Sequence, residues 1–155
     1  MRVGIGYDVH PFAKGRPLVL GGVPVGGEDG LSGHSDADAV LHAIIDALLG
    51  AAGMGDIGQH FPSEDPAYAG ADSKELLRHV VGLLKGAGYQ VENVDATVIA
   101  ERPRLQGYLS RMRQTIAAVL GVEDACVSVK ATTHEGLGAI GRGEGIAAMA
   151  VALLK

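Results

Sequence analysis

The sequence predicts a single α+β domain over residues 1–155. Three observations predict it. Apolar residues alternate at period two at Val3, Ile5 and Tyr7 and again across 127–131, and three other segments carry apolar residues at helical spacing. No linker or low-complexity stretch divides the chain, and 155 residues are enough for one unit that buries roughly 70% of its unfolded surface.

The first strand is expected to run from Val3 to about His10-Pro11. Leu18-Val19-Leu20 and Val23-Pro24-Val25, separated by Gly21-Gly22, read as a hairpin or bulged pair. A helix is expected after Ser35 as N-cap, with Asp36 and Asp38 in its first turn and its end at Gly50. Ala37, Val40, Leu41, Ile44, Ile45, Leu48 and Leu49 form its apolar stripe, which leaves Asp38, His42 and Asp46, four apart, on the face the core does not use. Residues 53–68 show no regular period and read as a long connection of the kind that is functional or mobile. A second helix opens at Asp72, with Glu75 completing a capping box, and runs to Gly86. A strand over 94–100 ends at Arg102-Pro103, before a third amphipathic helix that carries Leu105, Leu109, Met112, Ile116, Val119 and Leu120. The strand over 127–131 leads into Thr132-Thr133-His134-Glu135, and the apolar run 146–154 reads as a buried last strand.

Composition narrows the function. The chain is 47% hydrophobic but 4% aromatic, with no Trp and 24 Gly, so its core must be small aliphatics with closely packed backbones, and oligomerisation is expected. A net charge of -5, with scattered Lys and Arg, argues against a nucleic-acid partner. No signal peptide or membrane span is legible, and the expectation is a soluble, cytoplasmic protein. Cys126, the single cysteine, reads as a buried small hydrophobe.

Asp8 and His10 point to one face of an extended strand, so both can reach one ion, and His42 is a candidate third ligand. Such a set would leave a fourth position open, as catalytic zinc does. On spacing alone, solvated strand-end residues and a histidine that caps a surface are the better fit for such a set. Asp38 and Asp46 are candidates to orient His42, although solubility of the helix face explains them as well. His34-Ser35-Asp36 at a helix N-terminus suits a phosphate, or is an ordinary cap. Thr132, Thr133 and Glu135 suit phosphoryl oxygens and a magnesium ion, or are a Thr-rich strand end. The 141–145 glycine turn lacks the Lys-Ser/Thr of a nucleotide P-loop. His60, His79 and His134 read as surface or packing residues.

Gly6-Tyr7-Asp8-Val9-His10, His34-Ser35-Asp36, Leu41-His42-Ala43, Gly55-Asp56-Ile57-Gly58 with Phe61-Pro62, Ala71-Asp72-Ser73, Lys130-Ala131-Thr132-Thr133 and the 141–145 turn cover nearly the whole chain. In order and spacing this set resembles the 2-C-methyl-D-erythritol 2,4-cyclodiphosphate synthase family of the non-mevalonate isoprenoid pathway. The resemblance implies a mixed β-sheet with helices packed on one face, assembled as a homotrimer with active sites between subunits. It implies conversion of 4-diphosphocytidyl-2-C-methyl-D-erythritol 2-phosphate to the cyclic diphosphate with release of CMP, by metal-assisted intramolecular phosphoryl transfer.

By the same resemblance Asp8, His10 and His42 hold zinc, and Glu135 helps hold magnesium or manganese on the substrate diphosphate. His34 and Thr133 stabilise the transition state. Substrate is bound by Asp8, His10, His34 and Ser35, by Asp56, Ile57, Gly58, Phe61, Pro62, Ser63, Glu64 and Asp65 of a mobile loop, by Ala100, Pro103, Arg104 and Leu105 around cytosine, and by Thr132, Thr133, Glu135 and Arg142. Arg142 and Glu144 face an axial cavity suited to an isoprenoid diphosphate. Arg104 stands where the family often has Lys, Ala139 where it often has Phe, and Glu101-Arg102 where a more neutral pair is common. A trimeric metabolite-binding module without turnover is the alternative, distinguished by tight binding of a cytidine diphosphate with no product. A metal-dependent phosphodiesterase would give a linear product.

Overall fold

Strand β1, Arg2–Ala13, is the spine of the fold because its two faces differ in kind. Val3, Ile5, Tyr7 and Val9 point outward and stay exposed, whereas Gly4, Gly6, Asp8 and His10 turn toward a helix. The computed structural model describes residues 1–27 and 29–155. After β1 come the hairpin β2, Leu18–Leu20, and β3, Val23–Val25, then β4, Gly30–Leu31, and α1, Ala39–Ala52. The chain continues through α2, Ile57–His60; α3, Ser73–Gly86; β5, Val91–Ile99; α4, Leu109–Leu120; β6, Val127–Thr132; α5, Gly138–Gly141; and β7, Gly145–Leu154.

The main sheet has the order β4-β1-β7-β5-β6, antiparallel except for the parallel β5–β6 pair. Helix α1 lies across β1, β7 and β5, α4 packs on β6, and α3 lies against both helices. This is the mixed sheet of an α+β fold with its helices on one side. The other side of β1 and β7 is open and apolar, with Val3 68%, Ile5 65%, Met149 41% and Val151 45% exposed.

Glycine at positions 4 and 6 lets α1 touch the strand. A Cβ built on Gly6 would lie 1.9 Å from the Ala43 carbonyl oxygen, and one on Gly4 would lie 2.0 Å from that of Ala47. Two residues of strand advance about 6.6 Å and four residues of helix about 6 Å, so each step of two along β1 meets one step of four back along α1. Continuing that register by one more step brings Asp8 beneath the His42 turn. Ile44, Ile45, Leu48 and Leu49 are fully buried in the same core, each contributing about 1.5–3 kcal/mol.

Several elements differ from the sequence reading. Helix α1 starts at Ala39, with Asp38 as its N-cap, and runs past Gly50 to Ala52, with Gly53 as its C-cap. Ser35 lies upstream in a segment that includes Ala37 at φ 56, so His34-Ser35-Asp36 is not a helix N-terminus. The polar face of α1 is not a solvent face either. Asp38 is fully buried and His42 is 8% exposed, because α1 is sandwiched between the sheet and α3. Asp38 Oδ1 accepts from Leu41 N at 3.0 Å and Gly21 N at 2.8 Å, and Oδ2 from Gly22 N at 2.7 Å. Burial pushes its carboxyl up to about 6 against the pull of those N–H groups.

Strand β1 extends to Ala13, and β5 begins at Val91. Residues 53–68 contain α2 and a 3-10 turn at Pro66–Tyr68, each capped by an aspartate, Asp56 or Asp65. Asp72 caps α3 as expected, but the Glu75 carboxylate pairs with Arg78. Helix α4 begins at Leu109, leaving Leu105 buried in the turn before it. The last strand is buried on both faces over residues 145–148 and has an exposed face beyond, where Met149 and Val151 lie on the open side shared with β1. Cys126 is half-buried and closes a 3-10 turn ahead of β6.

Candidate active site

Asp8 and His10, two apart on β1, meet His42 of α1 at the end of the close strand–helix contact. His10 Nε2 lies 2.8 Å from Asp8 Oδ2, His42 Nδ1 lies 3.1 Å from the same oxygen, and the two nitrogens are 3.3 Å apart. Ligands about 2.0–2.1 Å from a tetrahedral cation are separated by about 3.3 Å, so one oxygen and two nitrogens are spaced as three corners of such a site. Among the described residues this is the group of carboxylate and imidazole side chains able to hold a metal ion.

The far nitrogens show what the near ones can do. His10 Nδ1 is 2.8 Å from the Ser32 carbonyl oxygen, which only accepts, so the neutral ring carries its proton at Nδ1 and presents a lone pair at Nε2, whereas the protonated ring donates from Nε2 to Asp8. His42 Nε2 is 2.8 Å from Ser73 Oγ and 3.2 Å from Ser35 Oγ. Burial pushes the Asp8 carboxyl up, but the hydrogen bonds and charges of His10 and His42 together outweigh it and hold the group well below the usual carboxylate range. Burial pushes His10 down, and the hydrogen bond and charge of Asp8 reverse that to a net rise. Three acceptors converging on one point suit a shared proton or, better, a divalent cation with an open fourth position. The donor set is the borderline one that zinc favours.

The triad opens into a cavity of about 420 Å³ lined also by His34, Ser35, Ile57, Gly58, Phe61, Ser63, Glu64, Tyr68 and Leu76. Arg16 presents its floor by donating to the Gly33 carbonyl at 2.6 Å and the Ser35 carbonyl at 2.5 Å. His34 Nε2 donates to the Asp65 carbonyl oxygen at 3.0 Å, which ties floor to wall. Asp46 Oδ1 accepts from Ile57 N at 2.7 Å and so fastens α2 to α1. Burial raises the Asp46 carboxyl above its ordinary value, with the Ile57 N–H opposing. Phe61 packs edge-on against Tyr68 and His79, with ring centroids 5.2 and 5.5 Å away.

A second cavity, of about 360 Å³, is lined by Ala100, Glu101, Pro103, Arg104, Leu105, Gln106, Ala131, Thr132 and Thr133. The Glu101 carboxylate accepts from His134 N at 2.8 Å and Gly136 N at 3.3 Å, bracketing the exposed loop that carries Thr133 and Glu135. Glu135 has φ 52, uncommon for a residue with a Cβ, and its N–H donates to Thr133 Oγ1 at 3.2 Å. The two cavities share no lining residue.

The sequence profile of the YgbB family matches residues 1–155. The chain belongs to the YgbB family. A 2-C-methyl-D-erythritol 2,4-cyclodiphosphate synthase of Symbiobacterium thermophilum is 62% identical over 154 residues, which cover 99% of this chain and 98% of that protein. The corresponding synthase of Trichlorobacter lovleyi is 58% identical with the same coverage. Among solved structures, the bifunctional IspDF of Campylobacter jejuni aligns over 99% of this chain with TM-score 0.96 and 42% identity, and the chain spans 42% of that longer protein. A 2C-methyl-D-erythritol-2,4-cyclodiphosphate synthase in a CDP-bound form aligns with TM-score 0.91 and 33% identity, covering 99% of this chain and 100% of its own.

In this YgbB-family chain the site residues expected from sequence fall into two groups. Asp8, His10, His34, Ser35, His42, Ile57, Gly58, Phe61, Ser63 and Glu64 surround the first cavity. Ala100, Pro103, Arg104, Leu105, Thr132 and Thr133 line the second, with Glu135 beside it. Asp56 and Asp65 act as caps outside both linings, Pro62 lines neither, and Arg142 is paired with Glu144 at 2.6 Å. The Asp38 and Asp46 carboxylates are engaged by backbone N–H groups and not by the His42 ring, which the hydroxyls of Ser35 and Ser73 contact instead. Tyr68, Leu76 and Ser73 carry no site signal of their own in the sequence, and Asp36 reads there as part of a helix cap or phosphate site, not as a partner of Ser73 behind His42. The Asp36 and Ala71-Asp72-Ser73 motifs were visible, but only packing brings them to the histidine. His60 donates to the Met54 carbonyl, His79 packs on Phe61, and His134 hydrogen-bonds the Leu137 carbonyl.

Proposed function

We propose that the chain converts 4-diphosphocytidyl-2-C-methyl-D-erythritol 2-phosphate into 2-C-methyl-D-erythritol 2,4-cyclodiphosphate and CMP, as a phosphorus–oxygen lyase of the non-mevalonate isoprenoid pathway in the cytoplasm, with residues 1–155 acting as one domain. The observation that carries this reading is the Asp8/His10/His42 triangle opening onto a cavity floored by His34 and Ser35, in a YgbB-family chain matched end to end by cyclodiphosphate synthases.

In this reaction an oxygen of the 2-phosphate bonds to the phosphorus nearer the erythritol, and the P–O bond to CMP breaks, with CMP taking the electron pair. An ionised phosphate needs positioning more than activation. Asp8, His10 and His42 would hold zinc, which supplies Lewis-acid neutralisation of phosphoryl charge. His34 lies beside the reacting diphosphate and Thr133 donates its hydroxyl to it, both favouring the charge that develops. Residues 56–65 close over the methylerythritol, and the 100–105 turn receives cytosine.

Because the two cavities of one chain are separate, the reading joins the first cavity of one subunit to the second cavity of its neighbour. Thr132, Thr133 and Glu135 then reach the diphosphate from across the boundary, and Glu135 would help hold magnesium or manganese there. The exposed apolar face of β1 and β7 supports assembly as a homotrimer. Arg142 and Glu144 would line its axis, where an isoprenoid diphosphate fits the charge. Incubation of the protein with substrate, zinc and magnesium is expected to give CMP and a cyclic diphosphate by phosphorus NMR. A linear product would mean water attack, and no CMP would end the assignment.

A further inference from the structure

We propose that Asp36 and Ser73 are positioning residues that select the tautomer of His42 and so aim its Nδ1 lone pair at Asp8 and His10. The proposal rests on reading that triad as a cation centre.

Ser73 is the first residue of α3 and is fully buried. Its Oγ contacts two groups, His42 Nε2 at 2.8 Å and Asp36 Oδ1. Asp36 is held in place for this, since its Oδ2 accepts from Ser73 N at 3.0 Å and its Oδ1 from Asp38 N at 3.2 Å. A carboxylate oxygen accepts and does not donate, so the single hydroxyl proton of Ser73 goes to Asp36. Ser73 Oγ therefore faces His42 with lone pairs alone, and Nε2 must supply the proton. A neutral imidazole protonated at Nε2 is bare at Nδ1, the atom 3.1 Å from Asp8 Oδ2 and 3.3 Å from His10 Nε2.

Ser35 cannot make this choice. Its Oγ is 3.2 Å from the same Nε2 and accepts from Ala37 N at 3.2 Å, but among the described residues no other acceptor fixes its own proton, so it can give to or take from the imidazole. With Ser73 and Asp36 in place, the Ser35 hydroxyl proton is released toward the cavity, where a phosphate oxygen can take it. Without them, Ser35 can donate to Nε2 and move the imidazole proton to Nδ1, where it would block a cation. The arrangement parallels the acceptor that orients the second nitrogen of most metal-bound histidines, with a serine inserted between imidazole and carboxylate. His10 reaches the same state through a backbone carbonyl, which side-chain substitution cannot remove.

The test is zinc affinity, by competition with a chelator, and nitrogen-15 NMR of the histidine rings in the zinc-titrated protein. The wild type is expected to show His42 protonated at Nε2. Ser73→Ala and Asp36→Ala are each expected to lower zinc affinity about 10- to 100-fold, and the double variant no further than the single ones, because they act as one relay. Ser35→Ala should leave the His42 tautomer unchanged. Protonation of wild-type His42 at Nδ1, readable even if a variant fails to fold, would overturn the proposal, as would a well-folded Ser73→Ala protein with unaltered affinity. A wild type that takes up no zinc would remove the cation reading itself and this proposal with it.

Discussion

Asp8 and His10 show how a converging set of acceptors is tolerated in a fold before any cation arrives. Burial alone would neutralise both, but their hydrogen bond reverses the outcome, lowering Asp8 and raising His10. The signs define a pH window. The lowered Asp8 contributes stability above its unfolded value of 3.8, lost as pH falls through its folded value, and the raised His10 contributes stability below 6.5, lost as pH rises through its folded value. The pair therefore stabilises the cation-free fold most between those two unfolded values. A cation competes with the same proton. Calorimetric titration with zinc near neutral pH, in buffers of differing ionisation enthalpy, should report proton release, and zinc affinity should fall steadily from pH 8 to pH 6. An affinity flat across that range would contradict the shared proton.

Helix α1 and strand β1 place the triad, and glycine decides how. A Cβ at position 6 would meet the Ala43 carbonyl, a backbone atom that cannot swing aside. Gly6→Ala should cost about 1–3 kcal/mol or more through overpacking and lower zinc affinity in whatever protein still folds, since α1 carries His42 away from Asp8 as it lifts. Gly82→Ala is the control: this exposed position in α3 has no atom within 4 Å of a built Cβ, and the change should be neutral or stabilise by about 0.4–1 kcal/mol. Urea unfolding with parallel zinc titration measures both. Equal effects of the two substitutions would show that helix–strand approach does not set the site.

In the whole molecule, one side of the sheet is covered by helices and the other is not. Ile5 and Val151 are directly opposite across β1 and β7, and Tyr7 is opposite Met149, so the exposed residues form one continuous apolar patch. Patches of this kind mark protein contacts more often than bare surface. Ile5→Lys combined with Val151→Lys should yield a monomer by sedimentation, with zinc content kept because the triad lies on the opposite face. CMP formation should be lost, because the second cavity would then come from no neighbour. A double variant that remains monomeric yet turns over normally would place the complete site within one chain. No helix among the described residues is long and apolar enough to cross a membrane.

Features that depend on near neighbours along the chain were legible before the fold was seen. Period-two alternation placed Asp8 and His10 on one face of a strand, helical spacing located α1 and α3, and Asp72 marked the start of α3. Extended motifs indicated the YgbB family's chemistry before any contact was visible. The same local logic misplaced the start of α1, because Ser35 caps as readily as Asp38 until the Gly21–Gly22 turn arrives to share the Asp38 carboxylate. It also read His42 as a surface residue, because a stripe pattern cannot tell that a second layer, α3, will cover the remaining face. Only the tertiary structure decided that His42 sits 34 residues on from Asp8 yet 3.1 Å away, and that Ser73 and Asp36 stand behind it. Periodicity encodes the direction in which a side chain leaves its own element. Which elements touch, and so where three lone pairs meet, is settled by how closely backbones approach, and here that is the work of Gly4 and Gly6.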